Sequence, residues 1–170
     1  EKAHQLKNSL IAREEKLMKE IKDETGVEVQ LMAARSVAKV FDKLGLNYER
    51  TQKSKAPSFT KNFLSKHSHP TVKKIAQARE INKSHSTFID SILRFTHKGR
   101  IHADINPIRS DSGGTVTGRF SYRNPNLQQI PARNKELGPL IRSLFIPEED
   151  HKWGCFDYSQ QEPRLVVHYA

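Results

Sequence analysis

Two runs of apolar residues at helical spacing, one near the start of the chain and one beginning at its seventieth residue, restrict the fold more than any other feature. Ala3, Leu6, Leu10, Leu17 and Ile21 recur between charged residues and predict an amphipathic helix to about Asp23. Pro70 and Thr71 open a second helical pattern, in which Ile81, His85, Phe88, Ile92 and Phe95 form a stripe running to about Thr96. Stripes of this kind are read as core-packing faces, not as a cofactor box. Two long helices thus flank a smaller tip.

Thr25 and Gly26 break the first helix. A short helix follows, with Ser36 as a possible N-cap, Val37, Val40, Phe41 and Leu44 on one face, and Gly45 as its stop. Arg50 to His69 is rich in Lys, Ser, Thr and Pro and predicts a mobile polar loop with about one helical turn. After His97 the texture changes to Gly, Pro, Asn and β-branched residues, which predicts strands and turns. Leu137 to Phe145 reads as a short helix and Pro147 to Asp150 as a turn. A strand over Trp153–Phe156 and a final helix complete an α+β order.

A length of 170 residues suits one domain, or one large domain with an appendage. The net charge is +10 and the cations are spread along the chain, which suits a polyanionic partner, nucleic acid first; a merely solvated basic surface is the alternative. Cys155 is the only cysteine, so an intrachain disulfide and the usual thiolate zinc sites are excluded and a reducing compartment is expected. The eight histidines, His67 and His69 included, show no metal-ligand spacing. No apolar run approaches the roughly 18 residues of a membrane span, and the charged start at Glu1 does not resemble a signal peptide. The start without Met and the end at Ala170, inside the apolar pattern of Leu165 to Tyr169, lead us to expect a longer parent protein.

Chemistry concentrates in Lys-Trp-Gly-Cys-Phe-Asp-Tyr-Ser-Gln-Gln-Glu-Pro-Arg, Lys152 to Arg164. Asp157 is expected at the carboxyl end of the strand, with its side chain in a cleft, a usual place for a metal ligand. Phosphoryl transfer to a sugar hydroxyl needs two divalent ions about 4 Å apart, held by carboxylates. Mg²⁺ is satisfied by one or two carboxylates plus waters and substrate phosphates. Ser159 and Glu162 have the Ser-x-x-Glu spacing of a capping box, so Glu162 has a purely structural reading as well.

This segment closely resembles motif A of the family A DNA polymerases, the group of bacterial DNA polymerase I and many phage replicative enzymes. Two upstream stretches, Thr115-Val-Thr-Gly-Arg-Phe-Ser and Asn124-Pro-Asn-Leu-Gln-Gln-Ile-Pro-Ala-Arg, resemble stretches that precede motif A in the family in this order. Ala78-Arg-Glu-Ile-Asn-Lys-Ser-His-Ser-Thr resembles the family's thumb-to-palm helix. The resemblance is weak over residues 1 to 70, recognisable from 71 to 100 and strong from 101 to 170. It implies a thumb over residues 1–96, two long antiparallel helices with a helical tip at about 25–69, and then the first part of an antiparallel-sheet palm over 97–170.

The same resemblance implies roles for residues. Asp157 would be catalytic and, with the backbone carbonyl of Tyr158, would ligate the two Mg²⁺ ions. Glu162 matches the residue whose bulk excludes a ribose 2′-OH, with Ser159 and Gln160 beside it on the substrate. Arg119 would contact minor-groove acceptors, which are nearly independent of sequence, with Gly118 permitting close approach. Thr117, Asn126, Gln128 and Arg133 would join it on DNA, and Arg79 and Lys83, at i and i+4, would share a face toward phosphates. The bland reading of the Asn124–Arg133 run is that it satisfies its own loop backbone. Gln161 and Pro163 depart from the bacterial pattern and point to a divergent, viral branch.

Partners implied are primer-template DNA and deoxynucleoside triphosphates, in the cytoplasm, or the host cytoplasm for a virus. In the family the fingers helix and the second catalytic aspartate follow motif A and are expected beyond Ala170, so the isolated chain is expected to be inactive. Two rivals remain: a non-catalytic DNA-binding module reusing these parts, and a single-subunit RNA polymerase, against which Glu162 argues.

Overall fold

The computed structural model describes residues 1–111, 113–132 and 134–170. The first stripe forms α1, Lys2–Thr25. Gly26, in the left-handed region at φ 69°, ends it and returns its N–H to Lys22 O at 2.7 Å. The short helix α2 spans Ala34–Lys43. It begins earlier than Ser36 suggested, with Ala33 at the N-cap, because the Ser36 hydroxyl instead accepts the Gln30 N–H at 2.9 Å. Gly45 closes α2 as expected: at φ 65° it lets Leu46 N–H reach back to Phe41 O at 2.9 Å.

The stretch expected as a polar loop is more ordered than its composition implied. It contains a hairpin of β1, Glu49–Arg50, and β2, Pro57–Ser58, then α3, Lys61–Lys66. Thr60 caps α3 by accepting Phe63 N–H at 3.2 Å. Few apolar residues suffice because they converge on Phe41 of α2, which is fully buried. Its ring lies 4.8 Å from Phe59, 6.0 Å from Phe63 and Tyr48 and 5.7 Å from His67.

Pro70–Lys83 forms α4, with Pro70 in the first turn and His69 Nδ1 accepting Thr71 N–H. The long helix continues, but not as one uniform α-helix. Ser84–Ile89 is a wider π-turn, after which Asp90–Arg94 resumes as α5. The π-turn shifts the phase of the stripe, so Ile89 is fully buried while Phe88 is only half-buried.

Side-chain pairs fix α1 and the α4–α5 rod as antiparallel neighbours. Glu24 meets Thr71 and Lys74, Glu14 meets Asn82 and His85, and Lys7 meets Asp90. Leu10, Ile81 and Ile89 close a core between the rods, and Leu137 from α6, Leu137–Arg142, completes it. A separate core, Ile21 through Val72 and Ile75 to Phe41 and Leu64, fills the tip.

Lys74 Nζ holds Glu24 Oε1 at 2.5 Å and Glu20 Oε2 at 2.7 Å. The Lys74 hydrogen bond, followed by that from Thr71, holds the Glu24 carboxyl below its ordinary 4.5. A lowered carboxylate contributes stability above pH 4.5 and loses it as pH falls through the folded value. Glu24→Gln is therefore expected to flatten the acid limb of stability, read by urea denaturation from neutral pH to below 4.5. An unchanged acid limb would refute the assignment.

Beyond the rods lie two small antiparallel ribbons. β3, Thr96–His97, pairs with β4, Arg100–Ile101; β5, Asp104–Asn106, pairs with β6, Ser121–Arg123, in the register Asp104↔Arg123. The segment expected as a strand, Trp153–Phe156, forms none: it has no regular structure, and Trp153 and Phe156 are exposed. An extended segment becomes a strand only by pairing, and none of the described strands pairs with it. The final helix, α7, spans Gln161–Tyr169 and is exposed throughout.

Candidate nucleic-acid interface and motif A segment

The β5–β6 ribbon holds the Thr115–Phe120 stretch in its connecting loop. Gly114, at φ 103°, lets this loop pass its own entry so closely that an added Cβ would lie 2.3 Å from Ile108 O. Gly118, at φ 71°, turns the chain so that Thr115 Oγ1 donates to Arg119 O at 2.7 Å, with Thr117 Oγ1 3.3 Å from Thr115 Oγ1. Arg119 is left exposed at the turn, and its guanidinium contacts Glu162 of α7.

The Asn124–Ile130 run folds back against the same ribbon. Asp104 Oδ2 accepts Arg123 Nε at 3.2 Å and Asn124 Nδ2 at 2.9 Å, anchoring the exit of β6. Asn126 Oδ1 accepts Gln128 N–H at 3.1 Å at the start of a 3₁₀ turn, Leu127–Gln129. Gln128 Nε2 donates to Phe120 O at 2.8 Å. Thr117, Arg119, Gln128 and Glu162 therefore belong to one exposed patch. The bland expectation for this run is partly met too, since Asn126 does satisfy its own loop backbone.

Asp157, Tyr158, Ser159, Gln161 and Arg164 line an open concavity of about 430 Å³. The Asp157 carboxylate has no hydrogen-bond or ion-pair partner among the described residues and is exposed to this space. An exposed carboxylate is an oxygen donor of the kind Mg²⁺ takes, with water and phosphate able to complete its shell. No group of three or more His, Cys, Asp or Glu is gathered among the described residues. The capping box that the Ser-x-x-Glu spacing allows does not form. Gln160, at φ 57°, stands at the N-cap of α7 with no side-chain bond, and Glu162 turns to Arg119 instead.

On the long rod the two expected phosphate contacts part company. Arg79 borders the same groove as Lys83 but spends two guanidinium nitrogens inward: Nε donates to Leu31 O at 2.7 Å and Nη1 to Phe59 O at 2.8 Å. It braces the tip, and burial lowers its pKa from the ordinary value. Leu31 and Phe59 are themselves buried, so their carbonyls need a donor from the protein, and Arg79 supplies it. Lys83 is exposed, on a groove of about 780 Å³ shared with Lys61 and Lys73. Sequence reading missed Lys61 and Lys73, although Lys73, Gln77, Glu80 and Lys83 follow helical spacing along one face of α4. Arg133 lies outside the described residues.

The family model for DNA polymerase family A matches residues 1–170, the whole chain. The chain belongs to DNA polymerase family A. It is 38% identical over 141 residues to a DNA-directed DNA polymerase of Pseudomonas phage M6, covering 79% of this chain and 21% of that protein. It is 40% identical over 137 residues to the thermostable DNA polymerase I of Thermus aquaticus, covering 77% and 16% respectively. This family A chain thus spans about a fifth or less of the length of these relatives. Its fold is similar to the POL domain of Pol1 from M. smegmatis, solved in complex with DNA primer-template and dNTP, with a TM-score of 0.77 and 26% identity over 98% of this chain and 29% of that one. Mixed helices and small antiparallel sheets, similar to part of a polymerase domain, are therefore the architecture of this chain.

Proposed function

We propose that this chain is the thumb, residues 1–96, and the first part of the palm, residues 97–170, of a template-dependent DNA polymerase that adds deoxynucleotides to a primer 3′-OH. The observation that carries the reading is the contact of Arg119 with Glu162, 43 residues apart in sequence, on the segment that also carries Asp157, whose carboxylate has no partner among the described residues. It supports reading Arg119 as a minor-groove donor and Glu162 as a sugar-side carboxylate in one patch. Family membership and the DNA- and dNTP-bound state of the similar structure support primer-template DNA and deoxynucleoside triphosphates as the partners.

In this reading Arg119, with Thr117, Asn126 and Gln128, holds the primer-template minor groove, and Lys83 holds phosphate. Asp157 and the Tyr158 carbonyl would hold Mg²⁺, two ions in the complete site. Bound there, such ions activate the attacking hydroxyl oxygen and stabilise the leaving one. Ser159 and Gln160 approach the nucleotide from the turn before α7, and Glu162 occupies the space a 2′-OH would need. The isolated chain, with one motif carboxylate free for metal, does not polymerise by itself. A phage-encoded parent working in the host cytoplasm accords with the phage relatives.

Primer extension by the full-length parent, with dNTP and rNTP compared, tests this reading. Glu162→Ala is expected to raise the rNTP-to-dNTP ratio of kcat/KM by on the order of 10²-fold, the scale at which a pocket rejects one added hydroxyl. A lower Tm with unchanged sugar selectivity would leave Glu162 a structural residue. Failure of the wild-type parent to extend a primer would sink the whole reading.

A further inference from the structure

Glu14, on α1, is a carboxylate that the reaction does not use, and it is largely buried: 16% of its side chain is accessible, and 11% of that of His85. Its Oε2 lies 2.5 Å from His85 Nε2, and its Oε1 accepts Asn82 Nδ2 at 2.9 Å. Both oxygens are spent on residues three apart that straddle the junction of α4 and the π-turn. An apolar contact would fill the same space without choosing a rotation. A carboxylate held at two points chooses one.

The junction needs that choice because its own backbone is loosened. Ser84 Oγ donates to Glu80 O at 2.8 Å and Ser86 Oγ to Asn82 O at 2.7 Å. Hydroxyls bonded to carbonyls of the preceding turn weaken and bend an α-helix, and here the wider turn begins. A slip of one residue between α and π spacing would rotate the remainder of the rod by roughly 100°. Asn82 and His85 bond Glu14 of α1, and Asn82 also borders the groove on which Lys83, Ser86 and Thr87 are exposed. Lys83 Nζ rests 5.7 Å from the centre of the Phe88 ring.

We propose that Glu14 is a positioning residue for DNA binding: by holding Asn82 and His85 against α1, it fixes the rotation of the α4–π junction and keeps Lys83, Ser86 and Thr87 turned to the phosphate backbone. The inference rests on the reading of the Lys83 face as DNA-binding.

The test is fluorescence anisotropy of the full-length protein on a primer-template duplex at several salt concentrations, for Lys83→Ala, Glu14→Leu and the double variant. Lys83→Ala is expected to raise Kd and to reduce the log–log salt slope by about 0.9, the value of one phosphate contact. Glu14→Leu reduces the slope by a similar amount without touching DNA, and the double variant matches Lys83→Ala to within about twofold. A residue with only a packing role would lower Tm and leave the slope alone. A native slope in Glu14→Leu, or losses that multiply in the double variant, would overturn the proposal while leaving the DNA-binding face intact. No effect of Lys83→Ala would overturn both. Should Glu14→Leu fail to fold, Asn82→Ala, which removes one of the two anchors, is expected to reduce the slope at near-native Tm, and a native slope there also overturns the proposal.

Discussion

If the proposed polymerase function holds, Asp157→Ala in the full-length protein is expected to reduce primer extension by at least on the order of 10²- to 10³-fold, the cost of losing one preorganised electrostatic group at a reacting centre. Primer-template affinity should change little. The carboxylate has no protein partner among the described residues, so its removal breaks no internal contact, and α7 follows without using it as a cap. It also carries a negative charge that repels rather than attracts DNA phosphates. Single-turnover extension measured beside anisotropy separates the two effects. Undiminished extension would remove Asp157 from the chemistry, and equal losses in binding and extension would make it a structural residue.

Phe41→Ala is expected to cost about 3–5 kcal/mol in chemical denaturation, the range for emptying a fully buried aromatic site. Four aromatic neighbours, Tyr48, Phe59, Phe63 and His67, lie around this one ring and come from three different segments of the tip. None of them can fill the space without leaving the others. The damage should stay in the tip, because the core of Leu10, Ile81, Ile89 and Leu137 shares no buried residue with it. Hydrogen exchange should therefore quicken in α2 and α3 and remain slow at the centre of α1 and α4. A cost below about 1 kcal/mol would mean that the tip closes over the cavity.

The contact of Glu162 with Arg119 bears on how the motif segment is held. Helix α7 has no side-chain cap and no buried residue, so the exposed ion pair is a visible tie between it and the β5–β6 loop. Exposed pairs contribute roughly 0–1 kcal/mol. Such a tie is readily exchanged for a substrate, as the proposed roles of both residues require.

What the sequence determined by itself is whatever depends on local periodicity and local backbone chemistry. The spans of α1 and of the rod from Pro70, the stops at Gly26 and Gly45, and the change to strands after His97 follow from spacing, glycine and proline, which act within a few residues. The order of the motif stretches, and with it the family, is likewise carried by residues in line. The tertiary structure decided every case in which a side chain had a choice of partner. Ser36 took the Gln30 N–H and lost the cap; Arg79 spent two nitrogens on tip carbonyls; Glu162 took Arg119 and left the capping box. The polar stretch from Arg50 to His69 became a hairpin and helix because α2 offered Phe41 as a shared core, which its own composition could not reveal. Ile89 displaced Phe88 from the stripe because a π-turn, whose His85 contacts Glu14 of α1, changed the phase. Trp153–Phe156 stayed unpaired for the same physical reason in reverse: hydrogen bonds between strands need a second strand, and a sequence can signal the readiness to pair but not the presence of the partner.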